Sequence, residues 1–295
     1  PHGEPIVLRN AQDARPVAIH AANDSLYLID LDQPLDGFRK YICAWVYRRK
    51  GLALVVDPGP ASTIAPLVDH LRQLGVSRLD AVLLTHIHLD HAGGVGSLLN
   101  AFPVDRVICH PQGIPHLVDP HRLWQGSKDV LGSLAEVYGG LVPADAGRLG
   151  FAERVDIGDT AVDVIGTPGH AVHHLAFRIG HVLFVGEMAG VYVPLEGGFH
   201  VRPSTPPPFR YGTYCDSIAR ASALDTSLVC LGHYGWRQDV AGLFERAGRQ
   251  LDFWADTVAR HVRAGSDPLD EIVLADLIAH DPDMSGWHAL PEDIR

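Results

Sequence analysis

The stretch LDAVLLTHIHLDHAGG, residues 79–94, constrains the chain more than any other. LDAVLLTH, 79–86, reads as a buried strand, and at its end His86, His88, Asp90 and His91 fall within six residues. A loop leaving a strand can turn four such side chains toward one point, and Gly93 and Gly94 then let the backbone swing into a helix. Imidazole nitrogens and carboxylate oxygens are the donors that Zn²⁺ and related divalent ions accept. A lone histidine is more often a hydrogen-bonded surface or core group. Four metal-capable side chains at this spacing, in a chain of 295 residues with 18 histidines, call for a metal site at a sheet edge.

The flanking patterns say what kind of sheet this is. Residues 17–30 and 41–57 alternate or run apolar with β-branched and aromatic side chains, the second split by the basic turn YRRKG, and predict antiparallel strands leading to a tight DPGP turn at 57–60. ASTIAPLVDHLRQLG, 61–75, has a Ser/Thr start, helical apolar spacing and a glycine stop. A helix from Val95 to Asn100 and a strand over 105–110 are expected next, then a helix or helix pair over 121–139 inside a helical insertion around 115–145. Three strands at hairpin spacing are expected between Arg154 and Met188. The Pro-rich VRPSTPPPFRYG, 201–212, reads as a loop. A helix around 212–224, a strand over 227–233, a long helix over 238–264 and a helix over 266–279 with a capping-type start close the chain, giving C-terminal helices around 238–280. Two β-rich halves, each followed by helices, predict one α/β domain over 1–295, a four-layer αββα sandwich of two packed sheets with helices outside.

Composition narrows the partners. Lys and Arg number 24 against 35 Asp and Glu, a formal charge of −11, which disfavours nucleic acid because phosphate affinity comes from clustered cations. YRRK reads as a solvated turn. No apolar run approaches the ~18–20 residues that span a bilayer, and PHGEPIVLRN lacks the basic-then-apolar pattern of an export signal, so no membrane partner and a cytoplasmic location are expected. Cys43, Cys109, Cys215 and Cys230 are dispersed, with no CxxC, and read as reduced thiols. No GxSxG, GxGxxG or P-loop competes with a metal reading. A small-molecule substrate is expected, and exposed apolar residues in 121–139 or the C-terminal helices would support a homo- or hetero-oligomer.

Together with motifs farther along, THIHLDH resembles the HxHxDH signature of the metallo-β-lactamase-fold hydrolases, in motif order from about Ile19 to Arg260. VVDPG matches the motif whose aspartate, here Asp57, supports the ligands from behind. TPGHAVHH supplies His170, LFVGEMAG stands where the family places its bridging carboxylate, and LVCLGHYG supplies His233. The resemblance implies the metallo-β-lactamase fold and two divalent metal ions, one held by His86, His88 and His170, the other by Asp90, His91 and His233, with Glu187 between them. For such a shell Zn²⁺ fits best, with Fe or Mn open on ligand type. A metal-bridging hydroxide would attack a small ester, lactone, thioester or activated aryl ether or ester, and Asp90 would shuttle the proton. The resemblance leans to the glyoxalase-II and lactonase-like branch, although a glutathione thioesterase would need cationic groups and no basic cluster stands late in the chain.

The departure is Glu187, where the family usually has aspartate. One methylene moves a carboxylate by about 1.5 Å, against a ligand tolerance of about 0.2 Å. Glu187 could bridge from a shifted backbone, bind one metal only, weaken the second site, or face solvent at a strand exit. If the second site is spoiled, the alternative is a catalytically silent metal-binding or assembly subunit. His110, His174, Tyr211 and Tyr234 are the candidate substrate contacts. His116 and His173 are weighed beside them, and Trp124, Phe209 and Trp236 as parts of an aromatic wall.

Overall fold

The computed structural model describes residues 6–7, 18–35, 37–291 and 294. Apart from its residues 6–7, the stretch PHGEPIVLRN lies outside them. The first sheet holds eight strands in chain order: β1 (Ile6–Val7), β2 (Ile19–Asn23), β3 (Leu26–Asp30), β4 (Cys43–Arg49), β5 (Leu52–Val56), β6 (Ala81–Leu83), β7 (Val107–Ile108) and β8 (Leu149–Gly150). Pairing is antiparallel through β5 and parallel from β5 to β8, as crossovers through helices require. The β4–β5 turn is Lys50-Gly51, with φ of 50° and 84°, the mirror-image turn that a two-residue hairpin favours.

The second sheet begins with β9 (Arg154–Ile157), β10 (Thr160–Gly166), β11 (Leu175–Ile179) and β12 (Val182–Phe184). A separate hairpin, β13 (Val191–Leu195) with β14 (Gly198–Arg202), follows, and β15 (Leu228–Cys230) and β16 (Trp236–Arg237) complete the six-stranded order β16-β15-β12-β11-β10-β9. The helices are α1 (Ile64–Gln73), α2 (Leu89–Ala92), α3 (Val95–Ala101), α4 (Ile114–Val118), α5 (His121–Leu131), α6 (Ser133–Tyr138), α7 (Tyr211–Ser222), α8 (Val240–Ala264) and α9 (Leu269–His280).

Three apolar clusters show the layers. Alternation along β4 sends Cys43, Trp45 and Tyr47 to one face and Ala44 and Val46 to the other. The first set meets Val162, Phe177 and Phe184 of the second sheet, so the two sheets pack face to face. Ala44 and Val46 pack with Leu67, Leu71 and Leu98 from α1 and α3. On the far side, Leu183 and Val229 pack with Ile218 of α7 and Phe244 and Leu251 of α8. The order is helix, sheet, sheet, helix. None of the described helices is long and apolar enough to cross a membrane.

Several elements differ from the sequence expectation. Four strands, not three, lie between Arg154 and Met188, because Gly158-Asp159 makes a two-residue turn that pairs Ile157 with Thr160. The strand expected over 79–86 is continuous only at Ala81–Leu83, with a separate bridge from Leu79 to Val104; it ends because the Thr85 amide donates to the Asp57 carboxylate (2.8 Å) rather than to a neighbouring strand. The Pro-rich segment contributes Val201 and Arg202 to β14 before Pro203 ends the pairing. Helix α9 has no capping side chain. It starts behind Pro268, and Ser266 faces His261 Nδ1 (3.0 Å) instead.

Candidate metal centre

Both sheets present their strand exits on one rim. Asp57 follows β5, Thr85 and His86 follow β6, His170 follows β10, Glu187 follows β12 and His233 follows β15. The rim is stitched across the sandwich, because the Leu175 amide donates to the Thr85 carbonyl (2.7 Å) and the Trp45 indole to the Leu231 carbonyl (2.9 Å). Side chains held on two rigid sheets keep their mutual distances, which a metal site needs.

Two groups of donors result. His86, His88 and His170 form one, and Asp90, His91, Glu187 and His233 the other. In the first, His170 Nε2 stands 3.2 Å from His86 Nε2 and 3.0 Å from His88 Nδ1. Each of two rings uses its other nitrogen as a donor, His86 Nδ1 to Thr85 Oγ1 (3.0 Å) and His170 Nδ1 to the Ser204 carbonyl (3.3 Å), so bare lone pairs face inward. The facing lone pairs of His86 and His170 repel unless a cation lies between them. A tetrahedral ion with metal–nitrogen bonds near 2.05 Å separates its ligands by about 3.3 Å, close to what these rings show. The donor set fits a cation.

In the second group, His91 Nε2 and His233 Nε2 approach Glu187 Oε1 at 3.0 and 2.8 Å, and Asp90 Oδ2 lies 3.5 and 3.4 Å from the same two nitrogens. Their outer nitrogens are again committed, His91 Nδ1 to Asp57 Oδ2 (3.0 Å) and His233 Nδ1 to the Tyr41 carbonyl (3.2 Å). Asp57 serves both groups. It takes His91 directly and His86 through the Thr85 hydroxyl, which donates to Asp57 Oδ2 at 2.6 Å.

Glu187 does not face solvent; it is 4% exposed. Strand β12 ends before it, and Gly186, at φ 53°, turns the chain where any Cβ would strike His174 Nε2 at 2.5 Å. The Glu187 amide donates to His174 Nε2 (3.3 Å) and its carbonyl accepts from Tyr214 (2.8 Å). Oε2 accepts from the Ser204 hydroxyl and lies 3.2 Å from His170 Nδ1, so the carboxylate touches both groups.

The two groups titrate in opposite directions. Burial, and then the neighbouring rings, hold His86 well below the usual imidazole value; burial and His170 push His88 down to about 3; burial lowers His170 as well. For His91, burial is outweighed by Asp90, Asp57 and Glu187, and the ring is raised well above its usual value. For His233, burial is outweighed by Tyr41, Glu187 and Asp90, and the ring rises to about 10. Burial would raise the Glu187 carboxyl, yet His170 and His233 hold it well below the usual range.

Above both groups lies a cavity of about 1220 Å³, with His88, Asp90, His170, Glu187 and His233 among its walls. The four candidate substrate contacts are not among them. His174 is buried beneath Glu187, held between the Glu187 amide and Thr167 Oγ1 (2.8 Å). Tyr234 is turned into the sheet interface, with its hydroxyl 3.4 Å from His20 Nε2. Tyr211 opens α7 and donates outward to Asp252 (2.6 Å). His110 packs beside Phe151 and accepts from the Gln112 amide (3.1 Å). Their neighbours His116 and His173 do line the cavity. The aromatic wall is also different: Trp124 packs on the first core, Trp236 against Trp45 and Phe209 on Tyr214, while Phe38, Tyr41 and Tyr138 face the cavity. Thr85, Ser204, Tyr214 and Tyr41 were missed; only Thr85, adjoining His86, carried a positional hint.

A model of the metallo-beta-lactamase superfamily matches residues 40–233. A metallo-beta-lactamase fold-containing protein of Sulfurisphaera tokodaii is 30% identical over 205 residues, 67% of this chain and 74% of that one. The hydroxyacylglutathione hydrolase of Aeromonas salmonicida is 33% identical over 193 residues, 64% of this chain but only 60% of the relative's length. Among solved structures, an archaeal superfamily protein of Sulfolobus tokodaii superposes with a TM-score of 0.65 at 28% identity, over 77% of this chain and 85% of that one. A family protein of Thermus thermophilus gives 0.63 at 21%, over 81% and 83%.

Proposed function

Because the chain belongs to the metallo-β-lactamase superfamily, we propose that it is a metal-dependent hydrolase of small esters, lactones or thioesters, using two divalent ions, Zn²⁺ by preference. The observation that carries this reading is the convergence of two donor groups, joined by one buried carboxylate, on the floor of an open cavity. Two such ions supply Lewis-acid polarisation of a carbonyl oxygen and acidification of water. His86, His88 and His170 would hold one, Asp90, His91 and His233 the other, and Glu187 would reach both. The protein's own contribution is orientation: Asp57, Thr85, Tyr41 and Ser204 fix the ring faces before any substrate arrives.

Asp90 is the residue placed to move a proton. Its side chain is 17% exposed, borders the cavity and stands beside His91 and His233. Held low by His91 and His233 against the opposing effect of burial, it is a carboxylate at neutral pH and ready to accept. A glutathione thioester, the substrate named for the Aeromonas relative, is one member of the class, and a panel should include it. A cytoplasmic setting suits four unpaired cysteines. The test is metal analysis beside a panel of esters, lactones and thioesters, assayed before chelation, after it, and after adding metal back. Turnover that survives complete removal of metal would sink the reading, and one bound metal or none, with no turnover across the panel, would favour the silent subunit.

A further inference from the structure

Helix α5 has an unusual position. Of its eleven residues none is buried, although it carries Leu123, Trp124, Val130 and Leu131. Polar residues occupy one side, where Gln125 donates to Asp129 (2.9 Å). Leu123, Val130 and Leu131 line the cavity with the small Gly126 and Ser127 between them, joined by Leu134 of α6; the three leucines also rest on the first core, and Val130 is left outermost. Val130 is 73% exposed, and across the cavity Val172 is 50% exposed. Two exposed β-branched side chains bordering one cavity are apolar surface that a ligand would cover.

The position of this surface relative to the donors matters. Ile87 lies between His86 and His88, and Val172 follows His170 by two residues, so both aliphatic side chains adjoin the three-histidine group while sharing the cavity with α5. Two aromatic residues stand by the second group, where the Tyr41 ring is 4.5 Å from the His233 ring and Phe38 packs on Tyr41 at 5.2 Å, and Tyr138, one turn after Leu134 on α6, closes the wall beside Phe38. The charges of the lining are Asp90 and Glu187 among the donors, Arg202 on β14, and Arg122 in the exposed first turn of α5, two turns before Val130. At about 1220 Å³ the space exceeds the ~300–1,000 Å³ usual for small-molecule pockets. A short ester bound at the donors would leave most of it empty.

We infer that this wall is an acyl pouch, and that the substrate is an ester, lactone or thioester bearing a straight, medium-length aliphatic acyl chain that runs from the donors along α5 past Val172 and Val130. The inference rests on the hydrolase reading and deepens it. Each methylene that passes from water into an apolar wall is worth about a fourfold gain in kcat/KM, until the chain leaves the cavity.

The experiment is a series of straight-chain esters from acetate to decanoate with one leaving group, assayed on the metal-reconstituted protein. The expected result is a rise of about fourfold per methylene through the early members. Val130→Asp, at a solvent-exposed position where folding tolerates a charge, should cut the octanoate-to-acetate ratio of kcat/KM at least tenfold, and Gln125→Ala on the opposite face should leave that ratio as it was. A flat series, a benzoate ester outrunning octanoate, or a slope that Val130→Asp does not change overturns the pouch. If no ester is hydrolysed, calorimetric binding of decanoate against butyrate decides separately. Tighter decanoate binding that Val130→Asp weakens upholds the pouch while the hydrolase reading falls, and equal binding of the two acids removes the pouch as well.

Discussion

The two donor groups are built from nearly the same side chains and solve opposite problems. His86, His88 and His170 are three imidazoles with no carboxylate in the set; burial and mutual repulsion keep them neutral, and the inward nitrogens of His86 and His88 stand 3.2 and 3.0 Å from His170 Nε2 with no acid among them. Asp90, His91, Glu187 and His233 are two acids and two bases, and they satisfy one another as buried ion pairs. The first group is poised by an unmet need for a cation. The second is already satisfied by protons, which a metal must displace. Equivalent ligand types can therefore produce sites of unequal behaviour, decided by whether a carboxylate stands among the rings.

The largest effect should come from removing metal altogether. Chelation is expected to lower ester turnover by about a thousandfold or more, from several kcal/mol of lost charge stabilisation, and added Zn²⁺ should restore it. The groups should then be separable by mutation. His88→Ala should remove one metal equivalent while leaving the metal-free protein about as stable as before, because His88 is neutral there and no buried charge loses its partner. His233→Ala should also remove one equivalent, but it leaves the Asp90 and Glu187 charges close together and short of a partner, which should cost the metal-free protein on the order of 3 kcal/mol. Metal content by elemental analysis and metal-free melting temperatures make the comparison. Equal destabilisation by both substitutions would erase the distinction between the groups.

Acidity should distinguish them next. His233, raised to about 10, and His91, raised well above its usual value, hold protons in the metal-free protein at neutral pH. A raised folded-state value means that this stabilisation is fully present below the unfolded value of about 6.5 and fades as pH climbs through the folded one. Metal binding at the second group must expel both protons, so its affinity should rise with pH by up to about a hundredfold per unit. The first group has none to expel, since His88 is held near 3 and His86 and His170 are also lowered. Chelator competition at pH 6.5, 7.5 and 8.5 would show one steep and one shallow dependence. Parallel slopes would mean the groups act as a single coupled site.

How much of this was readable from residues alone follows the range of the interactions. The layers were legible because they come from local patterns: the apolar run of β4 marks a strand buried on both faces, and helical spacing in α1 and α8 says which face is apolar without naming the partner. The donors were legible because each sits in a short motif at a strand exit. What escaped depends on contacts distant in sequence. His174 reads as a pocket residue beside His170, yet Gly186 brings the Glu187 amide over it and buries it. Tyr234 adjoins His233, but a positive φ of 43° turns it away toward His20. Nothing in STPPPF marks Ser204 as a neighbour of Glu187; the chain must fold back over the rim before they meet.

Ser204 supplies the smallest and most discriminating test. Its hydroxyl donates to Glu187 Oε2 and its carbonyl accepts from His170 Nδ1, so a single loop residue holds the acid of one group and a ring of the other. The longer side chain of glutamate is what makes this contact available, because Oε1 is already engaged by His91 and His233 while Oε2 is carried on to the serine. Ser204→Ala keeps the carbonyl and removes only the hydroxyl. It should weaken the second metal by about tenfold, the lower end of what a supporting hydrogen bond to a ligand is worth, and spare the first. Ser204→Thr should restore the affinity. In a Glu187→Asp background the alanine substitution should matter little, since the shorter carboxylate no longer reaches the loop. If Ser204→Ala weakens both metals equally, or costs as much beside aspartate as beside glutamate, then Ser204 acts only as a tether for the loop, and the fit of Glu187 must come from the turn at Gly186 instead.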